Sequence, residues 1–412
     1  MTAFARRTLA VSIAAAGALF GAASAQDAAS GVTAGDRTSF RGWLDGFKAE
    51  ARAAGVRDDV MADAFATVDL NARVLELNEN QPEFSKAIWE YIDGAVSQTR
   101  VDNGRSRQLE NAPLLQRIEA EYGGDAEIIV AIWGLESSYG AILGDYDSIS
   151  ALATLAWRGR RTAYGREQLI GALKIIQKGY APRERLKGSW AGAMGQTQFI
   201  PTTYLAYAID HDGDGVRDIW ANLRDVFAST ANYLAVSGYK VDAPWGLEVT
   251  LPAGFDYALA DPAVRKPVAE WRALGLVGAD ADRLARLDPN ARARALVPAG
   301  ADGPAFLVFD NFEAILKYNR STAYALAVGL LSDRVAGGRP GPKAAWPRED
   351  RALSLDERKA LQQALHDRGF DPGPVDGVIG ANTKRALRAW QRANGYPADG
   401  YASAATLQRL TS

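Results

Sequence analysis

The sequence predicts a mainly α-helical protein with a small mixed α/β region and a compact helical tail. Between about residues 39 and 240, apolar residues recur three and four positions apart, as in FRGWLDGFKAEARAAG and REQLIGALKIIQKG, which indicates packed helices. Over about 245–310 apolar residues alternate instead, as in WGLEVTLPAGFDY and PAFLVFDNF, which indicates short strands. A chain of 412 residues with 48% hydrophobic content is long enough for two or three domains.

Residues 1–25 have the pattern of a secretory signal peptide. A pair of arginines precedes the apolar run LAVSIAAAGALFGAA, which ends in ASA, an A-x-A cleavage site. An uncleaved membrane anchor is the alternative, but the run is short for a membrane span and no second apolar span follows. We therefore expect an exported protein without a membrane anchor, whose new N-terminus is disordered over 26–38.

The tail is predicted to be a separate domain over 351–412, after a Pro/Gly linker at 337–350. One predicted helix, LDERKALQQALHDRGF, ends at Gly369, and a second, ANTKRALRAWQRANG, ends at Gly395. After each helix the sequence repeats an Asp-Gly pair followed by a threonine and a leucine. This echo suggests that the tail contains a duplicated half.

Composition excludes several kinds of active site. The sequence contains no cysteine, so it offers no disulfide, no thiol nucleophile and no Cys-ligated zinc. Its two histidines, His211 and His366, are far apart in sequence, which argues against a Ser-His-Asp triad and a His-rich metal site. A formal net charge of −2 gives no basic field for nucleic acid. We expect no nucleic-acid partner and no organic cofactor, and we assign the chemistry to carboxylates, hydroxyls, amides and aromatic rings.

Glu136 is the candidate catalytic residue. It stands near the end of an apolar helix, with Ile129, Ile132 and Trp133 seven, four and three positions before it. This spacing puts the carboxyl group on the apolar face of the helix, turned inward. Loss of hydration raises the pKa of a carboxyl group, which suits a general acid near neutral pH. The alternative is a core glutamate that an arginine or a backbone donor satisfies.

The segment KGSWAGAMGQTQFIPTTY, residues 187–204, is a candidate ligand-binding loop. Its glycines allow a backbone to approach a ligand closely. Ser189 and Gln198 offer polar contacts, and Phe199 offers an apolar floor. The alternative is a tightly packed turn with no ligand.

The acidic segment DHDGDGVRD, which begins at residue 210, matches the start of a calcium-binding loop. It has carboxylates at loop positions 1, 3 and 5 and glycine at position 6, although Ala221 stands at position 12 where an EF-hand has glutamate. Closely spaced carboxylates repel one another unless a cation neutralises them, but a solvated acidic loop is the alternative. The expected ligands of a structural Ca²⁺ are Asp210, Asp212, Asp214, the Val216 carbonyl and Asp225.

A third segment, LKYNRSTAYALAVG at 316–329, places Tyr318, Asn319 and Tyr324 around the start of a helix. The Asn319 amide is suited to hydrogen-bond a sugar amide or hydroxyl. Alternatively, Asn319 is the N-cap of the helix that follows, which is an equally common use of asparagine.

These motifs together resemble a known enzyme family. WGLESSYG, ALATLAWRGRRTAY, KGSWAGAMGQTQFIP, the DHDGDG loop and YNRSTAY are similar, in this order, to motifs of the lytic murein transglycosylases of the membrane-bound B type. The resemblance covers about 39–336 and implies a lysozyme-like α-rich catalytic core with the mixed α/β subdomain inserted. The tail resembles the common peptidoglycan-binding domain, which implies a three-helix domain that binds peptidoglycan glycan strands.

The resemblance implies that Glu136 is a single acid/base that cleaves the β-1,4 bond between N-acetylmuramic acid and N-acetylglucosamine. The acid protonates the leaving oxygen and then, as a carboxylate, takes a proton from the muramyl C6 hydroxyl, whose attack on C1 forms a 1,6-anhydro end. One carboxyl group is enough because the substrate supplies the nucleophile, whereas ordinary glycosidases use two. The implied glycan contacts are Arg160, Arg161, Tyr164, Ser189, Gln198, Phe199, Tyr318, Asn319 and Tyr324.

Some features depart from the family pattern and keep alternatives open. The lipid-bearing cysteine of membrane-bound members is missing, which implies a periplasmic form, and the acidic loop is one residue longer before Asp225. Asp145 and Asp147 follow Glu136 closely, so a muramidase that hydrolyses the same bond is one alternative. An inert peptidoglycan-binding scaffold is another, although a glutamate at position 136 favours an enzyme.

Overall fold

The computed structural model divides the chain into two compact units. The predicted signal peptide at 1–25 lies outside the described residues. Among the helices that the structure describes, we find none with the length and apolar character needed to cross a bilayer. The described residues are 32–79 and 99–237 in the first unit, and 87–98, 238–337 and 341–412 in the second.

The chain becomes helical earlier than the sequence suggested. Helix α1 (Ala34–Ala53) begins inside the stretch 26–38 that we expected to be disordered. A capping box fixes this start, because the Asp36 N–H donates to Thr33 Oγ1 at 3.1 Å and the Thr33 N–H donates to Asp36 Oδ2 at 3.0 Å. Asp36 also pairs with Arg158 at 2.8 Å. The prediction of disorder is therefore wrong for residues 34–38, where these polar contacts stabilise the first turn.

The first unit is a helical bundle around the apolar helix α7 (Ala126–Ser137). The α7 residues from 128 to 134 are all buried, which is typical of a helix that is apolar on every face and lies inside a core. A short ribbon, β1 (Tyr146–Asp147) paired antiparallel with β2 (Lys187–Gly188), links the two segments that flank the candidate site. The other helices are α2 (Asp58–Phe65), α3 (Ala72–Glu79), α5 (Gln98–Glu110), α6 (Ala112–Tyr122), α8 (Ser148–Trp157), α9 (Thr162–Gln177), α10 (Pro201–Tyr207) and α11 (Leu223–Val236).

The second unit contains a five-stranded antiparallel sheet, which confirms the predicted mixed α/β region. Its strands are β3 (Gly246–Thr250), β4 (Lys266–Pro267), β5 (Val277–Gly278), β6 (Arg292–Leu296) and β7 (Ala305–Val308), in the order β4-β6-β7-β3-β5. Trp271 is fully buried against the sheet, and its Nε1 donates to the Ala293 carbonyl at 3.0 Å. The helices around the sheet are α4 (Ile88–Ala95), α12 (Val268–Ala273), α13 (Ala281–Arg286), α14 (Asp310–Tyr318) and α15 (Thr322–Val335).

The tail is a three-helix domain, as predicted. Its helices are α16 (Leu355–Asp367), α17 (Ala381–Ala393) and α18 (Ala404–Thr411). Leu361, Leu365, Leu387, Trp390 and Leu410 form its small core. Each helix contributes to this core, so none of the three could bury its apolar face without the others.

The predicted linker at 337–350 is docked on the second unit over its described part. Glu248 accepts hydrogen bonds from the backbone N–H groups of Lys343 and Ala344, both at 2.8 Å. The Lys343 ammonium donates to the Ala279 carbonyl at 2.7 Å. The segment is therefore held in place by polar groups of the sheet region and does not act as a free tether there.

Candidate active site

Glu136 lies on the last turn of α7 and is buried, with 6% of its surface exposed. The burial expected from the helical spacing is therefore confirmed. The helix is apolar up to this point, and it ends one residue later at Ser137. The carboxyl group is thus held at the boundary between the packed interior of the first unit and the turn that follows.

The turn after Glu136 has an uncommon backbone. Ser138 (φ 49°) and Tyr139 (φ 60°) are consecutive residues in the left-handed region, which non-glycine residues seldom occupy. Tyr139 is held by its hydroxyl, which donates to the Arg100 carbonyl at 2.7 Å, and by an edge contact with Trp133 at 5.5 Å between ring centroids. A Cβ on Gly134 would lie 2.5 Å from the Tyr139 ring, so only glycine leaves room for it. Several independent contacts of Tyr139 therefore hold the backbone of this turn in its left-handed conformation.

Gln196 orients the Trp133 ring, a role that the sequence analysis missed. The Trp133 Nε1 donates to Gln196 Oε1 at 2.6 Å, and Gln196 Nε2 donates to the Trp220 carbonyl at 2.8 Å. The backbone N–H of Gln196 also donates to the Ile219 carbonyl at 2.8 Å, so both the side chain and the backbone hold this residue in place. The local pattern GQTQ contains two glutamines two positions apart and does not tell which of them points inward.

The glycine-rich segment 187–204 packs directly on the chain that follows Glu136. A Cβ on Gly144 would lie 2.3 Å from the Gly188 carbonyl oxygen. Gln198, which also has a left-handed backbone (φ 50°), donates from Nε2 to the Leu143 carbonyl at 3.1 Å. The predicted ligand loop therefore lies against residues 143 and 144, seven and eight positions after the catalytic candidate Glu136.

Two predicted glycan contacts of this loop are engaged by the protein itself. Ser189 is half-buried, and its Oγ accepts a hydrogen bond from the Ala193 N–H at 3.0 Å. Phe199 is only 2% exposed and packs against Tyr233 with 5.7 Å between ring centroids. Phe199 is therefore an interior residue in this conformation, whereas we expected an apolar floor open to a ligand.

The motif WRGRRTAY places its residues beside the same loop. Arg160 is exposed, and the Arg161 Cζ lies 5.6 Å from the centroid of the Trp190 ring. The Tyr164 hydroxyl donates to the Ala191 carbonyl at 2.8 Å. Burial raises the pKa of Tyr164, so the hydroxyl stays protonated and remains a donor. Arg161 and Tyr164 thus border the glycine-rich segment, Arg161 at Trp190 and Tyr164 at Ala191.

The remaining predicted glycan contacts belong to the second unit. The Tyr318 and Tyr324 rings are stacked, with 6.5 Å between centroids and 13° between planes. Asn319 is buried, and its Oδ1 accepts from the Ser321 N–H at 3.1 Å. Ser321 is the N-cap of α15, because its Oγ accepts from the Tyr324 N–H at 3.3 Å. The N-cap alternative for Asn319 is therefore wrong: Ser321 is the N-cap, and Asn319 accepts a hydrogen bond from the Ser321 N–H.

The acidic loop brings three carboxylates close together. Asp210, Asp212 and Asp214 each offer one oxygen, and these oxygens lie within 4.8 Å of one another. Asp210 accepts backbone hydrogen bonds from Gly213 at 2.7 Å and Gly215 at 2.8 Å, which fixes its carboxylate toward the loop. Three preorganised oxygen ligands of like charge are the donor set that a hard cation such as Ca²⁺ prefers.

Asp225 lies outside this group of three carboxylates. It is fully buried, and its two oxygens accept from the His211 N–H at 2.9 Å and the Asp218 N–H at 2.7 Å. Burial raises the pKa of Asp225 to about 6. The Val216 N–H donates to Asp214 at 2.8 Å. Asp225 therefore holds the two ends of the acidic loop through backbone contacts, a role that the spacing of acidic residues did not indicate.

Comparisons with known proteins agree with this architecture. A family model for the transglycosylase SLT domain matches residues 39–333, and one for a putative peptidoglycan binding domain matches 354–410. Membrane-bound lytic murein transglycosylase B from Escherichia coli (strain K12) is 32% identical over 288 residues, 65% of this chain and 74% of that protein.

Two solved structures are also similar. SltB3 from Pseudomonas aeruginosa in complex with NAG-anhNAM-pentapeptide is 50% identical, with a TM-score of 0.86 over 90% of this chain and 99% of that one. The Escherichia coli lytic transglycosylase Slt35 in complex with calcium is 28% identical, with a TM-score of 0.61 over 73% of this chain and 93% of that one.

The chain belongs to the family of transglycosylases with an SLT domain, extended by a peptidoglycan-binding domain. It is a peptidoglycan lytic transglycosylase, a lyase whose polymeric partner is the glycan of the cell wall.

Proposed function

We propose that the chain cleaves the β-1,4 bond between N-acetylmuramic acid and N-acetylglucosamine and leaves a 1,6-anhydromuramyl end, with Glu136 as the single acid/base. One observation carries the proposal: a buried carboxyl group ends an apolar helix and precedes two consecutive left-handed residues. Backbone outliers of this kind cluster at functional sites, where the surrounding structure holds them. An apolar surrounding favours the protonated form of a carboxyl group, which is the form that donates a proton.

The same carboxyl group serves both halves of the reaction. Protonated Glu136 donates its proton to the glycosidic oxygen, and the bond from that oxygen to C1 of the muramyl residue breaks. The carboxylate then accepts the proton of the C6 hydroxyl as the C6 oxygen forms its bond to C1. Atoms and charge balance without water, and the enzyme returns to its starting protonation state.

A second carboxylate for hydrolysis has little support. Asp147 is the N-cap of α8, accepting from the Ser150 N–H at 2.7 Å, and it also pairs with Arg183. Asp145 is exposed, so it lacks the desolvated surroundings of Glu136. We therefore favour transglycosylation over muramidase activity.

The substrate-binding and cellular parts of the proposal rest on the resemblance and on the contacts described above. Arg161 and Tyr164 contact the glycine-rich segment and Gln198 belongs to it, which supports a role in glycan binding. We place the protein in the periplasm, exported by the signal peptide at 1–25. The residues proposed to contact glycan are Arg160, Arg161, Tyr164, Ser189, Gln198, Tyr318, Asn319 and Tyr324, and the interior residue Phe199 is no longer among them.

We also propose that the acidic loop binds one Ca²⁺. Asp210, Asp212 and Asp214 would be its side-chain ligands, with the Val216 carbonyl as a further oxygen. Asp225 would act through the backbone of the loop and not on the ion. The ion would supply charge neutralisation that stabilises the loop, and it would take no part in bond cleavage.

The test is mass spectrometry of purified sacculi digested by residues 26–412, with Glu136→Gln as the variant and Glu127→Gln as the matched control. Both glutamates lie on α7, but Glu127 is half-buried in the first turn, where it accepts from Gln108 at 3.0 Å. We expect anhydro-muropeptides from the parent and from Glu127→Gln, and a loss of roughly a thousandfold or more for Glu136→Gln.

Other outcomes would contradict the proposal. Reducing muramyl ends from the parent would mean hydrolysis with a second carboxylate. Equal anhydro-product formation by Glu136→Gln would remove Glu136 from the chemistry. Sacculus binding without any product would favour the scaffold alternative.

A further inference from the structure

The tail contains two copies of one hydrogen-bonded loop. In the first copy, Gln362 Oε1 accepts from the Gly377 N–H at 2.7 Å, and Gln362 Nε2 donates to Asp376 Oδ1 at 3.2 Å. Asp376 Oδ1 also accepts from the Val378 N–H at 2.8 Å. A buried glutamine on α16 therefore fixes the Asp-Gly-Val turn.

The second copy repeats these bonds atom for atom. Gln391 Oε1 accepts from the Gly400 N–H at 2.8 Å, and Gln391 Nε2 donates to Asp399 Oδ1 at 2.7 Å. Asp399 Oδ1 accepts from the Tyr401 N–H at 2.9 Å. The duplication suggested by the Asp-Gly echo in the sequence is thus present in the structure, with Asp399 in the place of Asp376.

The second loop is occupied by a peptide from the same unit. The remaining oxygen of Asp399, Oδ2, accepts from the Ala301 N–H at 2.8 Å. The preceding residue, Gly300, has φ +71° and lies so close that an L-side chain would meet Asp399 Oδ2 at 2.5 Å and the Tyr401 Cβ at 2.8 Å. The second loop therefore binds a small-residue backbone whose conformation at position 300 is the left-handed one.

The first loop presents the same groups to solvent. Val378, which corresponds to Tyr401, is 65% exposed, and Val375 and Leu355 beside it are 40% and 50% exposed. Within the described residues, Asp376 makes its hydrogen bonds through Oδ1 and its Oδ2 has no partner. Hydrogen bonds from the Val378 N–H and from Gln362 lower the pKa of Asp376, so it is an ionised acceptor.

We propose that the first loop of the tail, formed by Leu355, Val375, Asp376 and Val378, binds the peptide stem of peptidoglycan. Asp376 Oδ2 accepts a backbone N–H of the stem, as Asp399 Oδ2 accepts the Ala301 N–H. The exposed aliphatic side chains contact the methyl groups of its alanines. This proposal rests on the proposed function, because it assigns the substrate element that the tail holds.

The geometry of the occupied loop favours a stem peptide over a glycan chain. Gly300 binds with positive φ, which is the mirror image of the L-residue preference and is therefore readily adopted by a D-residue. The stems of peptidoglycan contain D-alanine, whose methyl group occupies the position opposite to an L-side chain. The free loop is lined by leucine and valine, whereas sugar rings usually stack on aromatic rings.

A cation stands next to the proposed site. Lys359 lies one turn after Leu355 on α16, and its Cγ is 3.5 Å from the position of a Cβ on Gly377. The ammonium can therefore reach a carboxylate of a stem whose N–H is bound by Asp376. The combination of one acceptor, three aliphatic side chains and one cation matches an anionic peptide with small side chains.

The experiment uses the full chain carrying Glu136→Gln, so that the probe is not cleaved, with ¹³C-labelled valine methyl groups. NAG-NAM-pentapeptide is titrated while the methyl signals of Val375 and Val378 are followed by NMR. We expect both signals to shift in a saturable manner, and NAG-NAM without the peptide to leave them unchanged. Asp376→Asn should weaken binding at this site about tenfold or more, because a donor replaces the charged acceptor.

The matched control is Asp367→Asn, which removes the same charge from an exposed position at the end of α16. It should bind as the parent does. Val378→Ser keeps the backbone carbonyl that accepts from Gln362 Nε2 at 3.1 Å and changes only the exposed side chain. It should weaken binding even if Asp376→Asn disturbs the turn.

The inference is overturned if the valine signals do not move, if NAG-NAM alone moves them equally, or if neither variant weakens binding. A pentapeptide ending in two L-alanines that bound as tightly as the natural one would contradict the match to Gly300. Product analysis of the parent tests catalysis separately. If the enzyme is active but the signals of Val375 and Val378 do not shift, only the proposal for the tail is refuted, and the proposed function stands.

Discussion

The turn after Glu136 and the acidic loop at 210–218 lie in the same unit, but different forces hold them. The turn is fixed by the packing of Tyr139 on Trp133 and Gly134 and by a hydrogen bond to a backbone carbonyl. The acidic loop is fixed by backbone N–H groups that gather around carboxylates of like charge.

Because of this difference, the turn after Glu136 should respond little to ions and pH, whereas the acidic loop should respond strongly. Close-packed side chains respond to a change of volume, whereas clustered charges respond to ions and to pH. We therefore expect the turn to be sensitive to a single added methyl group and the acidic loop to be sensitive to a chelator. The predictions below test each side of the comparison.

Gly134→Ala should give the largest effect. The new Cβ would lie 2.5 Å from the Tyr139 ring, so the ring or the helix must shift. Overpacking of this kind costs about 1–3 kcal/mol in the free energy of unfolding. Misplacement of the neighbouring carboxyl group should also slow anhydro-product formation by roughly tenfold or more. Denaturant unfolding and product assays measure the two effects.

Gly46→Ala is the matched control, because Gly46 lies inside α1 with nothing within 4 Å of the added Cβ. It should leave activity unchanged and stabilise the helix by up to about 1 kcal/mol. If Gly134→Ala behaved in the same way, packing would not be what holds the turn.

Removal of Ca²⁺ should give the next effect. A ligand present at a hundred times its dissociation constant stabilises the folded state by about 2.7 kcal/mol. EGTA should therefore lower the thermal unfolding temperature by several degrees, and added Ca²⁺ should restore it. The Asp210→Asn variant serves as the control, since its unfolding temperature should respond to neither. An unchanged transition in the parent after chelation would mean that the carboxylates are simply solvated.

The smallest effect is expected at Glu357, an exposed charge in the tail. Its partner Arg351, followed by the Ser354 N–H, lowers the pKa of Glu357 to about 2. Because the folded pKa is below the unfolded value of 4.5, this stabilisation is present above pH 4.5 and is lost as the pH falls toward 2. Thermal unfolding at pH 5 and pH 3 should show a smaller difference for Glu357→Gln than for the parent. An equal difference would exclude this contact as a source of acid sensitivity.

Much of the fold was predictable because its signals are local. The helical spacing around Glu136 predicted a buried carboxyl group, and the Asp-Gly echo in the tail predicted a repeat. By contrast, the disorder expected over 26–38 failed at residues 34–38, where the Thr33–Asp36 capping box and the contact with Arg158 start a helix. The Thr33–Asp36 capping box can be recognised in the sequence, but the pairing of Asp36 with Arg158, more than a hundred residues away, cannot.

The sequence by itself indicated the class of enzyme, through its resemblance to a known family. Residue type and spacing along the chain also predicted the burial of Glu136, the three clustered aspartates and the helical tail. Only the tertiary structure decided which groups meet across long separations. In the folded chain, Gln196 orients Trp133, and Asp225 accepts hydrogen bonds from the backbone of the acidic loop. Ala301 donates to one of the two equivalent tail loops. These roles depend on which backbone donor lies within about 3 Å of a given oxygen, and that distance is set by the packing of whole elements.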